Sequence, residues 1–188
     1  MKLLLTFIFT LLLNTVFFAQ SSINDFVPAG YSIVRTVAEG DLNYDKLNDA
    51  ILVIGKNGED SLSTIEHPLK RKLIILFALP NKTYKLVAQS LNQVYYYSYD
   101  PNFRDAFVEV HIENNIFYIE HYGGFAQRWG RTTAFQYNAA DKLFYLLSDE
   151  HSTFYATDPN NTLSEKTYTQ KNFGKVPLNK FDIYKIVK

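Results

Sequence analysis

The chain has 188 residues, and its 19 basic residues are matched by 19 acidic ones. With lysine and arginine scattered apart from Lys70-Arg71-Lys72, this balance lacks the basic footprint of a nucleic-acid or anionic-membrane binder. There is no cysteine, so neither a disulfide framework nor a lipid-modified cysteine is available.

The chain opens with Lys2, an apolar run from Leu3 to Phe18 broken by Thr6, Thr10, Asn14 and Thr15, and the small residue Ala19. A charged start, an apolar stretch too short for a stable span and a small residue at its end predict a cleavable secretory signal over residues 1–19. The expected destination is therefore the medium or the periplasm, with no membrane span after cleavage. Residues 20–188 have the length of a single domain able to bury its own core.

Aromatic residues make up 16% of the chain, a usage that favours strands. Tyr31 to Ala38 alternates as one strand, an oxygen-rich loop follows, and Ala50 to Ile54 reads as a short buried strand. Gly55 to Pro68 is loop-like, and the basic trio after it reads as a solvated gatekeeper before the strand Leu73 to Leu79. Pro80 to Thr83 is a turn into Tyr84 to Ala88. Tyr95, Tyr97 and Tyr99 are expected on one strand face, with Tyr96 opposite.

The clearest hairpin is Ala106 to Tyr122, where Asn114-Asn115 tolerates the positive φ of a two-residue turn. Counting outward pairs 113 with 116, 111 with 118, 109 with 120 and 108 with 121. One face then carries Val108, Val110, Ile112, Phe117, Ile119 and His121; the other carries Glu109, His111, Glu113, Ile116, Tyr118, Glu120 and Tyr122. Further strands are expected at Thr132 to Tyr137, Lys142 to Ser148, near Phe154, at Thr167 to Lys171 and at Lys180 to Val187. With periods near two throughout, the predicted class is all-β, a mainly antiparallel sheet or sandwich.

The stretch Gly40-Asp41-Leu42-Asn43-Tyr44-Asp45-Lys46-Leu47-Asn48-Asp49 places oxygen-bearing side chains at positions one, three, five and nine, with the Leu47 carbonyl at seven. Such spacing suits a loop around a hard cation, which takes about six to eight oxygens at about 2.3–2.6 Å. Asp41, Asn43, Asp45, Leu47 and Asp49 are the candidate metal ligands, with Ca²⁺ as the expected ion. The pattern resembles the Asp-x-Asn-x-Asp-Gly-x-x-Asp loop of FG-GAP/VCBS-type repeats, and the resemblance implies calcium bound between strands. Lys46 stands where that family has glycine; a left-handed conformation there costs a lysine roughly 1 kcal/mol, and affinity is expected in the range of about 10⁻⁴–10⁻³ M. Arg71 to Leu76, Ile119 to Gly124 with Arg128-Trp129, and Asn172 to Lys175 are similar to a group of exported bacterial proteins that carry one such loop and have no assigned activity. A propeller needs several blades of about 40–50 residues each, so one loop in this length excludes a complete propeller.

Two further features bear on function. Glu109 and Glu120 are expected opposite one another with Cβ atoms about 5 Å apart, a repulsive pair unless a cation intervenes. Retaining glycosidases hold two carboxyls about 5–5.5 Å apart, so this pair defines a glycosidase-like alternative. The tyrosines Tyr95, Tyr97 and Tyr99, together with Arg128, Trp129 and Arg131 beside Gly123-Gly124, are the candidate surface for a glycan or protein partner. The leading expectation is an exported, non-enzymatic, calcium-stabilised β module with a binding or envelope-associated role.

Overall fold

The computed structural model describes residues 22–185. The expected signal over 1–19, and the end of the strand expected at Lys180 to Val187, lie outside the described residues.

Two five-stranded antiparallel sheets build the molecule. The first contains β1 (Tyr31–Ile33), β2 (Ala38–Gly40), β3 (Asp49–Lys56), β4 (Lys72–Ala78) and β5 (Tyr84–Ser90). Its order is β1-β3-β4-β5, with β2 also paired to β3. The second is a meander of β6 (Phe107–Glu113), β7 (Ile116–Gly124), β8 (Gln127–Asn138), β9 (Leu143–Tyr155) and β10 (Asp158–Thr169). It is an all-β sandwich rather than a barrel or propeller.

The main core lies between the sheets. Ile51, Val53, Leu73 and Ile75 of the first meet Val110, Phe117, Ile119, Phe135, Phe144 and Leu146 of the second. Each such side chain, fully buried, contributes about 1.5–3 kcal/mol. The alternate residues Ala50, Leu52, Ile54, Ile74 and Leu76 form a second cluster, covered by Ile23, Phe26, Val27, Ile33, Val37 and Tyr84. Burial of β3 on both faces explains its unbroken apolar run.

Several expected boundaries change. The strand expected from Tyr31 to Ala38 is broken at Arg35, whose φ is 68°. The guanidinium of Arg35 donates to Asp105 and to the Phe107 carbonyl, contacts that hold the chain away from the ladder. In the β6–β7 hairpin the pairs 113/116, 111/118 and 109/120 stand as expected, but a bulge then pairs Phe107, not Val108, with His121. Phe107 turns into the core, and Val108 is 41% exposed. No strand forms over 91–106. β8 begins at Gln127, so Arg128, Trp129 and Arg131 lie within a strand. β9 runs through to Tyr155 and absorbs the separate strand expected near Phe154. The segment Thr167 to Lys171 is the end of β10 entering a helical turn (Gln170–Phe173). After a 3₁₀ turn at Leu178–Lys180 the chain is irregular to Lys185, yet Phe181 and Ile183 are buried in the core. Arg71, at 1% exposure, is not a solvated gatekeeper.

The oxygen-rich loop joins β2 to β3 and is docked against the second sheet. A Cβ on Gly40 would stand 2.8 Å from Ile112 Cγ2, so only glycine permits the approach. Asn115 in the hairpin turn donates through Nδ2 to the Asp41 carbonyl at 2.7 Å.

Candidate functional site

The irregular segment 91–106 folds its tyrosines inward. Tyr95 and Tyr99 stack with centroids 3.7 Å apart and planes 9° from parallel. Tyr95 also meets Trp129 edge-on at 6.0 Å and Tyr184 at 5.6 Å. Trp129 Nε1 donates to Asp100 Oδ2 at 2.8 Å, and the Gly124 N–H donates to the same oxygen at 2.7 Å. Burial works to raise the Asp100 carboxyl, but N–H donors from Asn102, Trp129, Gly124 and Phe103 outweigh it and hold it below its ordinary value. The seat requires a glycine: a Cβ on Gly123 would lie 2.4 Å from Asp100 Oδ2 and 2.5 Å from Trp129 Cζ2.

These side chains wall a cavity of about 620 Å³ lined by Tyr95, Tyr96, Tyr99, Asp100, Trp129, Arg131, His151, Thr153, Tyr184 and others. Its size and its mixture of aromatic walls with a few fixed polar groups are those of a small-ligand site. At its base Arg131 makes a two-pronged contact with Asp149, Nε to Oδ1 at 2.8 Å and Nη2 to Oδ2 at 2.7 Å. Arg131 Nη1 donates to the Tyr95 hydroxyl at 2.8 Å and to the Ile183 carbonyl at 2.6 Å. His151 Nε2 stands 3.0 Å from Asp149 Oδ1. Burial pushes against ionisation of Asp149, but His151 and Arg131 outweigh it and keep the carboxyl below its usual range.

Of the six residues expected to form a binding surface, Tyr95, Tyr99, Trp129 and Arg131 converge here. Tyr97 does not: it leaves the cavity and lies beneath Arg71, 5.9 Å from its guanidinium carbon. Alternation along β8 sends Arg128 to the opposite face, over Phe103 and Tyr122 at 5.3 and 5.7 Å, with Nη1 bonded to the Gly124 carbonyl. Arg131 is 6% exposed and its donors are committed to Asp149, Tyr95 and Ile183, so it braces the pocket and does not present a free anion clamp. Asp100, His151 and Tyr184 carry no signal in the sequence that marks them for this site; His151 stands in β9.

In the β2–β3 loop, Asp41 Oδ1 accepts the N–H groups of Asn43, Tyr44 and Asp45, and Oδ2 that of Lys46. Asn43 Oδ1 accepts from Asp45, and Asp45 Oδ1 from Leu47. Tyr44 and Lys46 adopt φ of 69° and 67°; position six is therefore left-handed, as the glycine of such loops would be. Asp49 is fully buried, its two oxygens accepting from Leu42 and Ala78 N–H, each at 2.9 Å. Burial pushes its carboxyl up to about 6, with Asp45 and Asp41 adding to the effect. The donor set, all oxygen and rich in carboxylates, fits a hard cation. Asp41, Asn43, Asp45 and the Leu47 carbonyl would hold it, and Asp49 both clasps the loop to β4 and adds negative charge behind it.

A raised folded-state value means that ionising Asp49 opposes folding. Its stabilising share is present below about pH 4 and lost as pH rises through about 6. The stability of the wild type minus that of Asp49→Asn is therefore expected to fall by roughly 2 kcal/mol between pH 4 and pH 7 in chelator, read by urea unfolding at each pH. A flat difference contradicts the burial of an ionising carboxylate there.

On the outer face of the second sheet Glu109 and Glu120 are paired as expected. A trough of about 450 Å³ on that face is lined by Glu120, Glu150, Glu165, Tyr122 and Phe154, among others, but not by Glu109. The two carboxylates therefore do not share one concavity. His121 faces the core; its Nε2 accepts from the Tyr95 N–H at 3.3 Å, and burial, with Arg131 and Arg71 nearby, pushes it down to about 3. Among the described residues no helix is long and apolar enough to cross a membrane. Comparisons with family models, with curated proteins and with solved structures give no match.

Proposed function

We propose that this chain is an exported, non-enzymatic binding module of FG-GAP/VCBS-like character, with structural calcium in the Asp41–Asp49 loop and a glycan as ligand of the aromatic pocket. The observation that carries the ligand reading is the convergence of Tyr95, Tyr99, Trp129 and Tyr184 around one cavity whose indole is fixed by Asp100. Rigid aromatic faces offer large contact area with little entropy to lose, and the polar rim supplies hydroxyl-directed hydrogen bonds. A neutral ligand suits the pocket better than an anion, because Arg131 is already neutralised by Asp149 and Asp100 is ionised. Isothermal titration against oligosaccharides and short peptides tests the reading. Saturable one-to-one binding of an oligosaccharide, weakened at least about tenfold by Tyr184→Ala, is expected; binding of peptides alone, or of neither, contradicts the glycan assignment.

For calcium, support comes from the oxygen spacing, the left-handed Lys46 and the loop's junction between the sheets. With free Ca²⁺ at about ten times Kd, mass action adds roughly 1.4 kcal/mol, or a rise of about 3–6 °C in Tm for a domain this long. Thermal unfolding in chelator and in added Ca²⁺ should show that rise in the wild type and none in Asp45→Ala. Equal midpoints in the wild type would remove the ion from the account.

A further inference from the structure

We propose that Glu109, His111 and Glu120, on the outer face of the β6–β7 hairpin, form a binding site for a divalent transition ion, with zinc as the ion to test. This inference is independent of the aromatic pocket and of the calcium loop.

The three side chains offer one nitrogen and two carboxylate oxygens, all within 4.8 Å of one another. Ligands about 2.0–2.2 Å from one ion stand roughly 3–3.5 Å apart, so modest rotation of the exposed Glu109 and the half-buried Glu120 closes the set. The hairpin register creates the grouping: Glu109 pairs directly with Glu120, and His111 lies two residues along on the same face. Two like charges opposed across strands are destabilising. Among the described residues neither glutamate has a lysine or arginine partner, and the one ionic contact in the group is His111 Nδ1 to Glu120 Oε1 at 3.5 Å. A wet face with compensating basic neighbours therefore does not account for the pair.

His111 supplies the second observation. Its side chain is 37% exposed, but its Nδ1 atom is screened from solvent, stands 3.5 Å from Glu120 Oε1 and makes no hydrogen bond. The ring is held flat against its cross-strand neighbour Tyr118, centroids 4.8 Å apart and planes 12° from parallel, which fixes the direction of that nitrogen. A preoriented imidazole nitrogen with two carboxylates and no cation is a donor set suited to zinc and related ions, not to calcium, which prefers oxygen alone. Three protein ligands leave a coordination position open, and Glu120 also borders the trough lined by Glu150 and Glu165.

The test uses the chelator-stripped chain titrated with zinc chloride by calorimetry at neutral pH, with far-UV circular dichroism confirming the fold of each variant. One equivalent is expected to bind with micromolar or tighter affinity, weakened at least about tenfold in His111→Gln and in Glu120→Gln and unchanged in Asp45→Ala. Absence of saturable binding at micromolar zinc overturns the site, and so does binding of unchanged stoichiometry and affinity in both hairpin variants. Glu109→Gln, which keeps the shape of the side chain, provides a third variant with the same expected loss.

Discussion

Replacing Arg131 by methionine is expected to lower the unfolding free energy by about 3–5 kcal/mol, the usual consequence of removing one partner from a buried ion pair. Arg131 and Asp149 are 6% and 0% exposed, so the abandoned carboxylate has little access to water. The Tyr95 hydroxyl and the Ile183 carbonyl each lose the Arg131 donor in the same step and keep only their mutual bond at 3.3 Å, which loosens the pocket wall and the C-terminal segment together. Urea unfolding gives the number directly. The pair Arg131→Met with Asp149→Leu should recover part of the loss, since replacing both charges by apolar groups is often close to neutral. Full recovery is not expected, because the Tyr95 hydroxyl and the Ile183 carbonyl keep only their mutual hydrogen bond. A single-variant loss under about 1 kcal/mol would show that water reaches Asp149.

Arg71 is the second such tie. Its Nε donates to Glu59 Oε1 at 2.9 Å, and Nη1 to Asp105 Oδ1 at 2.7 Å, while its guanidinium lies over Phe107 at 5.7 Å. It therefore fastens the helical turn α1 (Glu59–Leu62) and the segment before β6 to the start of β4. Arg71→Ala should cost about 3 kcal/mol, the low end of the same range, because Glu59 and Asp105 are 12% and 17% exposed and rehydrate in part. Arg35 also contacts Asp105, so that carboxylate keeps one partner. Chemical denaturation of Arg71→Ala against Asp105→Asn separates the contributions; a larger loss in the asparagine variant would place the weight on Asp105 and not on the guanidinium.

These two arginines show where sequence reading stops. The β6–β7 hairpin was legible because its period-two alternation and the Asn114-Asn115 turn are local signals, and the structure keeps that register to residue 109. β3 was legible as a buried strand from its apolar run alone. β9 was legible only in two pieces, Lys142 to Ser148 and a strand near Phe154. Between them Asp149 points inward, fully buried only because Arg131, eighteen residues earlier in the chain, neutralises the carboxylate; such a residue breaks the apolar alternation that marks a strand. Tyr95 to Tyr99 failed in the opposite sense. Consecutive aromatics read as a strand by propensity, yet their rings find partners in Trp129, His121 and Tyr184, and those distant contacts override local preference. Arg35 carries no sequence signal for a left-handed backbone, and the break between β1 and β2 depends on Asp105 across the molecule.

The candidate site divides in the same way. Trp129 and its glycines stood out in composition, but only the fold shows that alternation along β8 separates Arg128 from Trp129 and Arg131. In the loop, residue type and spacing were sufficient to place Asp41, Asn43 and Asp45 in one turn, where their side-chain oxygens accept backbone N–H groups, and the structure adds the clasp made by Asp49. The Glu109–His111–Glu120 grouping was half visible: the opposed glutamates followed from the register, while the orientation of the histidine nitrogen depends on stacking against Tyr118.

Trp129 is the sole tryptophan and lies in the wall of the aromatic pocket, so its emission reports on that cavity alone. Titrating an oligosaccharide panel while recording this emission tests the binding-module account most directly. At least one oligosaccharide should produce a saturable shift in the wild type that disappears in Tyr99→Ala with the fold intact. Saturable binding that leaves Trp129 emission unchanged, or a panel without any response, would contradict the account.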